Sequence, residues 1–172
     1  KKDNALRDRK MNIVTLIDSF EHEGPHGKHV CMVFEALGEN LLSLIKRYNY
    51  AGIPLNNVRN IAMKVAEGLD YLHRGCKIIH TDLKPENIMF RGTDASSPIV
   101  LVDFGMSCQF IPGEKMSAQV GSPSYVAPEV MMGKYNESAD MWSLGVIMYI
   151  LLSGEPPFHG DSPSQIMKKV RE

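Results

Sequence analysis

Residues 80 to 87 read HTDLKPEN, and DFG follows at 103 to 105. Asp82, Asn87 and Asp103 offer hard oxygen donors, and Lys84 adds one ammonium beside them. Carboxylate and amide oxygens suit Mg²⁺, which keeps several waters and is shared between one or two carboxylates and substrate phosphates. An ammonium next to such a metal offsets charge on a phosphoryl group in transfer. Phosphoryl transfer asks mainly for positioning and electrostatics, and this set supplies both. Any one of these residues alone reads as a solvated loop residue; their joint spacing is what suggests chemistry.

The elements around them are legible from hydrophobic pattern. Asn12 to Phe20 and His29 to Phe34 are short runs rich in β-branched residues, expected to form a hairpin with EHEGPHGK as its turn. Leu55, Val58, Ile61, Ala62, Val65, Leu69 and Leu72 follow helical spacing and predict an amphipathic helix ending near Gly75, directly before HTDLKPEN. Ile88 to Phe90 and Ile99 to Val102 read as strands flanking a loop, a hairpin that would present both polar motifs on one side. Residues 105 to 127 are rich in Gly, Ser and Pro, a length that points to a functional loop. Ala139 to Leu152 is apolar on every side, the pattern of a helix buried all round. Ser162, Pro163 and Gln165 form a capping box that starts a last helix of about one and a half turns.

The 172 residues suffice for one ordinary domain. Nineteen Lys plus Arg face 20 Asp plus Glu, so net charge gives no reason to expect nucleic acid or a membrane surface as partner. Cys31, Cys76 and Cys108 are odd in number and lack metal-ligand spacing, so they read as buried thiols of a reducing, intracellular compartment, cytoplasmic or nuclear. The longest apolar stretch, Gly145 to Leu152, is far short of the ~20 residues that span a bilayer. His22, His26 and His29 with Glu21 and Glu23 could ligate zinc by residue type, but a solvated turn is the favoured reading. Met131, Met132, Met141 and Met148 are expected to be core packing.

HTDLKPEN, DFG, APE at Ala127 to Glu129 and DMWSLGV from Asp140, in this order and spacing, resemble the eukaryotic protein kinases. The resemblance implies an α+β, two-lobed fold, with residues 1–38 a remnant of the small lobe and 39–172 a large lobe truncated at its C-terminal helices. It also implies ATP and Mg²⁺ as cofactors and transfer of the γ-phosphate to a protein substrate. Asp82 would be the catalytic base. Lys84 would face the γ-phosphate, Asn87 and Asp103 would ligate Mg²⁺, and Ser122 in GSPSY would hydrogen-bond base and lysine. Phe34 would line the back of the nucleotide pocket, Glu35 to Leu37 its hinge and Met89 its floor, with Asn40 among the nucleotide-facing positions. Leu16, His80 and Phe104 resemble members of the apolar column joining the lobes, and Asp140 would hold the catalytic-loop backbone. The DLKPEN form is similar to that of serine/threonine kinases, so a Ser or Thr acceptor is expected. Glu86 and Glu39 would favour a basic substrate.

Thr81 stands where most of the family has an Arg that receives an activation-loop phosphate. Threonine cannot form a charge-assisted pair with phosphate. The expectation is activity independent of loop phosphorylation at Ser117, Ser122 or Ser124. HTD occurs in serine/arginine-protein kinases, which residues 12–90 resemble further. Residues 99–172 resemble calcium-dependent and calmodulin-dependent kinases instead, although no EF-hand loop occurs. No G-x-G-x-x-G loop or VAIK-type lysine occurs in these residues, and the Arg expected to pair with Glu129 is missing. The chain alone is therefore expected to be poorly stable and weakly active, and a catalytically inactive scaffold is the alternative reading.

Overall fold

A computed structural model describes residues 12–93 and 96–172. The chain has a two-lobed α+β arrangement, a small β-ribbon followed by a helical body. Strands β1 (Leu16–Gly24) and β2 (Gly27–Phe34) pair antiparallel from Leu16 opposite Phe34 to Gly24 opposite Gly27. The strands thus run through most of the stretch expected to be turn, which shrinks to Pro25 and His26. Proline lacks a ladder donor and favours the turn position, whereas Glu21 to Gly24 have theirs. Asn12 to Thr15 lie outside the strand, with Ile13 bridging in parallel to Leu101. His22 and His29 face each other across the ladder, and His26 sits in the turn; no group of three or more metal-ligating side chains is gathered among the described residues.

The body is built on α2 (Leu55–Asp70) and α4 (Ser138–Ser153), whose apolar faces share one core with β4 (Ile88–Phe90), β5 (Ile99–Leu101) and the short α1 (Leu41–Arg47). Val58, Ile61, Val65 and Leu69 form the buried stripe of α2, as the spacing predicts. The helix continues beyond Asp70 as a π-helical turn, Tyr71–Cys76, and stops at Lys77, which adopts a left-handed conformation (φ 59°). That turn delivers the chain into β3 (Ile78–Ile79), which pairs with β6 (Cys108–Gln109). Antiparallel β4 and β5 hold the ends of HTDLKPEN and DFG side by side, the arrangement expected from the sequence.

α4 departs from the all-round burial that its composition suggests. Leu144, Ile147 and Leu151 are buried, but Met141, Tyr149 and Leu152 are about half exposed. Its C-terminus is closed by Gly154 at φ 85°, where an added Cβ would stand 1.8 Å from the Tyr50 carbonyl oxygen. Only glycine fits there. The methionines divide in the same way: Met131 is buried, whereas Met132 and Met141 are exposed. A second core gathers Ile79, Phe110, Val126, Tyr135 and Val170 around α3 (Pro128–Met131) and α5 (Pro163–Arg171). α5 has nine residues rather than one and a half turns. Ser162 Oγ accepts from the Gln165 N–H (3.3 Å), and Gln165 Oε1 reaches back to Asp161 N (2.8 Å), one residue earlier than in a standard capping box. The three cysteines are free and only half-buried, a correction to the buried thiols expected.

Candidate active site

The loop after β3 owes its shape to α4. Asp140 in the first turn of α4 is 1 % exposed, and its carboxylate accepts from His80 N (2.8 Å) and Thr81 N (2.9 Å). It also pairs with His73 Nε2 at 2.7 Å, a residue of the π turn. Three polar groups thus meet one buried carboxylate, which satisfies all of them without water. Thr81 takes φ 67°, a costly conformation for a β-branched residue, on the order of 1–3 kcal/mol. The clamp from Asp140 holds it there.

Asp82 follows at once. Its Oδ2 receives Lys84 Nζ at 2.6 Å, and its Oδ1 accepts from Ser122 Oγ (2.7 Å) and Ser122 N (3.1 Å). Lys84 Nζ also reaches Ser122 Oγ at 3.3 Å. Ser122 can come this close because Gly121 precedes it at φ 110°, where a Cβ would lie 2.7 Å from the Thr81 carbonyl oxygen. Burial pushes the Asp82 carboxyl upward, but the hydrogen bonds from Lys84 and Ser122 and the lysine charge outweigh it and hold the group below its usual value. Its hydrogen bond to Asp82 drives the Lys84 ammonium above its usual value against the opposing pull of burial, with Asp82, Glu86 and Asp103 adding charge. The pair is therefore ionised at neutral pH.

Asn87 is buried and spends its amide nitrogen on the Asp82 carbonyl (2.9 Å), which leaves its oxygen as the uncommitted end among the described residues. Asp103 is exposed, and its Oδ1 receives only a long bond from Gly105 N (3.3 Å) among the described residues. A free carboxylate oxygen and a free amide oxygen, with Lys84 close enough to sense Asp103, are a donor set that fits Mg²⁺. His80 donates through Nε2 to the Val102 carbonyl (3.0 Å), and its ring packs on Phe104 at 5.1 Å.

Next to these groups lies a largely apolar cavity of about 510 Å³, within the range of small-molecule sites. Phe34, Leu37, Met89 and Asp103 line it, joined by Val14, Met32 and Val102. The Glu35 side chain turns elsewhere, accepting from Thr15 N (2.9 Å) and Arg91 Nη2 (2.8 Å). Asn40 caps α1 by accepting from Ser43 N (2.9 Å). Of the proposed column, His80 and Phe104 pack on each other, and Leu16 is half exposed.

A model of the protein kinase domain matches residues 4–172. The chain belongs to the protein kinase family. It is 36 % identical over 200 aligned residues to the serine/threonine-protein kinase SRPK of Physarum polycephalum, covering 85 % of this chain and 46 % of that protein. It is 38 % identical over 162 residues to a probable myosin light chain kinase of Dictyostelium discoideum, covering 92 % of this chain and 44 % of that one. Protein kinase dsk1 of Schizosaccharomyces pombe is 60 % identical over 80 residues, 46 % of this chain and 15 % of that protein. The kinase chain thus spans less than half the length of these relatives.

Two features of this kinase site escaped sequence reasoning. His73 sits 67 positions from Asp140, and nothing local marks it except the adjoining helix end. In the sequence Thr81 stands out for the cation it fails to supply, whereas in the structure its hydroxyl donates to the Met106 carbonyl at 2.6 Å.

Proposed function

We propose that this chain contributes the catalytic loop, metal ligands and much of the nucleotide pocket of a kinase that transfers the γ-phosphate of ATP to Ser or Thr hydroxyls of proteins. The observation that carries this reading is the ionised Asp82–Lys84 pair, locked by Ser122, beside an apolar cavity that Asp103 lines. Asp82, held as carboxylate, orients the acceptor hydroxyl and takes its proton. Lys84 faces the transferring phosphate. Asn87 and Asp103 would hold Mg²⁺, which when bound neutralises phosphate charge. Phe34, Leu37 and Met89 pack against adenine, and the backbone of Glu35 to Leu37 serves as hinge. The small-lobe portion then ends near Gly38, and the body runs from 39.

The acceptor is a protein, and a basic one is favoured by Glu86, which is exposed. Glu39 contributes less than its charge suggests, because it is ion-paired with Arg47. ATP dependence places the reaction inside the cell. The test is phosphate transfer from radiolabelled ATP to a Ser-containing and a matched Tyr-containing basic peptide, with Asp82→Asn as control. Weak, serine-selective transfer that disappears in Asp82→Asn, with nucleotide binding kept, is the expected result. Nucleotide binding without any transfer would establish the scaffold reading instead.

A further inference from the structure

His80 and Thr81 bracket Asp103. His80 bonds to the Val102 carbonyl just before it, and the Thr81 hydroxyl bonds to the Met106 carbonyl just after it. Between these two ties the segment is held by the packing of Phe104 on the His80 ring (5.1 Å) and by its own turn, in which Ser107 N (3.0 Å) and Oγ (2.7 Å) both donate to the Phe104 carbonyl. The turn fixes the segment's shape; the His80 contacts locate its start and the Thr81 hydroxyl its far end, beyond Asp103. Asp103 itself has φ 63°, so its carboxylate sits on a backbone that has a competing lower-energy conformation.

Thr81 is in turn fixed from two other sides. Its N–H is bound by Asp140, and its carbonyl lies under Gly121, the residue that brings in Ser122. The base, the Ser122 loop and the segment bearing Asp103 therefore converge on one residue, whose side-chain hydroxyl makes its hydrogen bond to the last of them.

We propose that the Thr81 hydroxyl is a positioning group for Asp103: it sets the distance between metal-binding carboxylate and base by direct hydrogen bonding to Met106. The proposal rests on the phosphoryl-transfer reading above. It gives the HTD form a role of its own, since the tie is made within the loop and requires no phosphate. A partner that orients a metal ligand typically governs metal affinity by about 10- to 100-fold.

The test compares Thr81→Ser, which keeps the hydroxyl, with Thr81→Val, which keeps the shape and cannot donate. ADP binding to the purified chain is measured by calorimetry with Mg²⁺ and again in excess chelator, and amide exchange is followed at Gly105 to Ser107. The expected result for Thr81→Val is faster exchange and an affinity for ADP with Mg²⁺ lowered about 10-fold or more, with metal-free ADP binding unchanged. Thr81→Ser restores both. Equal losses with and without Mg²⁺ would mean general damage and overturn the proposal, as would a Thr81→Val chain that matches the parent in both measurements. A parent chain that binds ADP no better with Mg²⁺ than without overturns the phosphoryl-transfer reading too, and so marks that failure apart from failure of the Thr81 role.

Discussion

Asp82 works against its own burial, and the side chains that rescue it can be removed one at a time. Ser122→Ala deletes the 2.7 Å bond to Asp82 Oδ1 but keeps the lysine pair. The Asp82 pKa should rise, the acid limb of a pH–rate profile should move upward, and turnover should fall by about tenfold, the worth of one hydrogen bond to a charged group. Because the folded-state pKa is depressed, the stability from these bonds is present above the unfolded value of about 4 and is lost as pH falls through the folded value. Tyrosines give the opposite case at high pH. Burial raises Tyr125 and Tyr135 to about 12, so their contribution is present below the ordinary phenol value and disappears as pH climbs toward 12. Absorbance of phenolate during alkaline titration should show these two ionising last, together with unfolding.

At the level of elements, the decisive contact is between α4 and the catalytic loop. Asp140→Ala would orphan the His80 and Thr81 amides and release His73. Leaving two buried donors unpaired costs about 1–3 kcal/mol each, so urea denaturation should show a loss of roughly 3 kcal/mol. Gly154→Ala puts a Cβ 1.8 Å from the Tyr50 carbonyl and should be at least as damaging. Ser162→Ala, at the partly exposed cap of α5, should cost only about 1 kcal/mol. Much of this frame was legible in the sequence: the 3.6-residue stripe of α2 and the β-branched runs of β4 and β5 are local signals, and local signals survive folding. The convergence of Asp82, Lys84 and Ser122 was legible only through family resemblance, because Ser122 lies 40 positions away. The extent of the β1–β2 ladder was misread because Glu21 to Gly24 look like turn by composition, yet every one has a free ladder donor. Met141, Tyr149 and Leu152 of α4 face outward, which hydrophobicity without periodicity could not indicate.

Over the whole molecule, the two lobes are held very differently. The α2–α4 body is buried in one continuous core, whereas nearly every residue of β1 and β2 is exposed, including Leu16, Ile17, Phe20, Val30 and Met32. A two-stranded ribbon without a packed face is marginal in water, and local opening follows local burial. Hydrogen exchange should therefore be orders of magnitude faster along β1–β2 than at Ile61 or Ile147. The dye ANS should fluoresce with the native chain, and Met32→Lys should reduce that signal without lowering the melting temperature by more than a few degrees. Thr81→Val, by contrast, touches a segment tied to the body and should leave the ribbon's exchange untouched.

The clamp at Asp140 also bears on heat. Asp82 is the very next residue after the two amides bound by that carboxylate, so its side chain is carried by the central helix on a lever one residue long. Warming that loosens the ribbon leaves this geometry alone, and the loop has almost no slack of its own to lose. The order of Asp82 should then persist to the melting of α4 and vanish with it, in a single step.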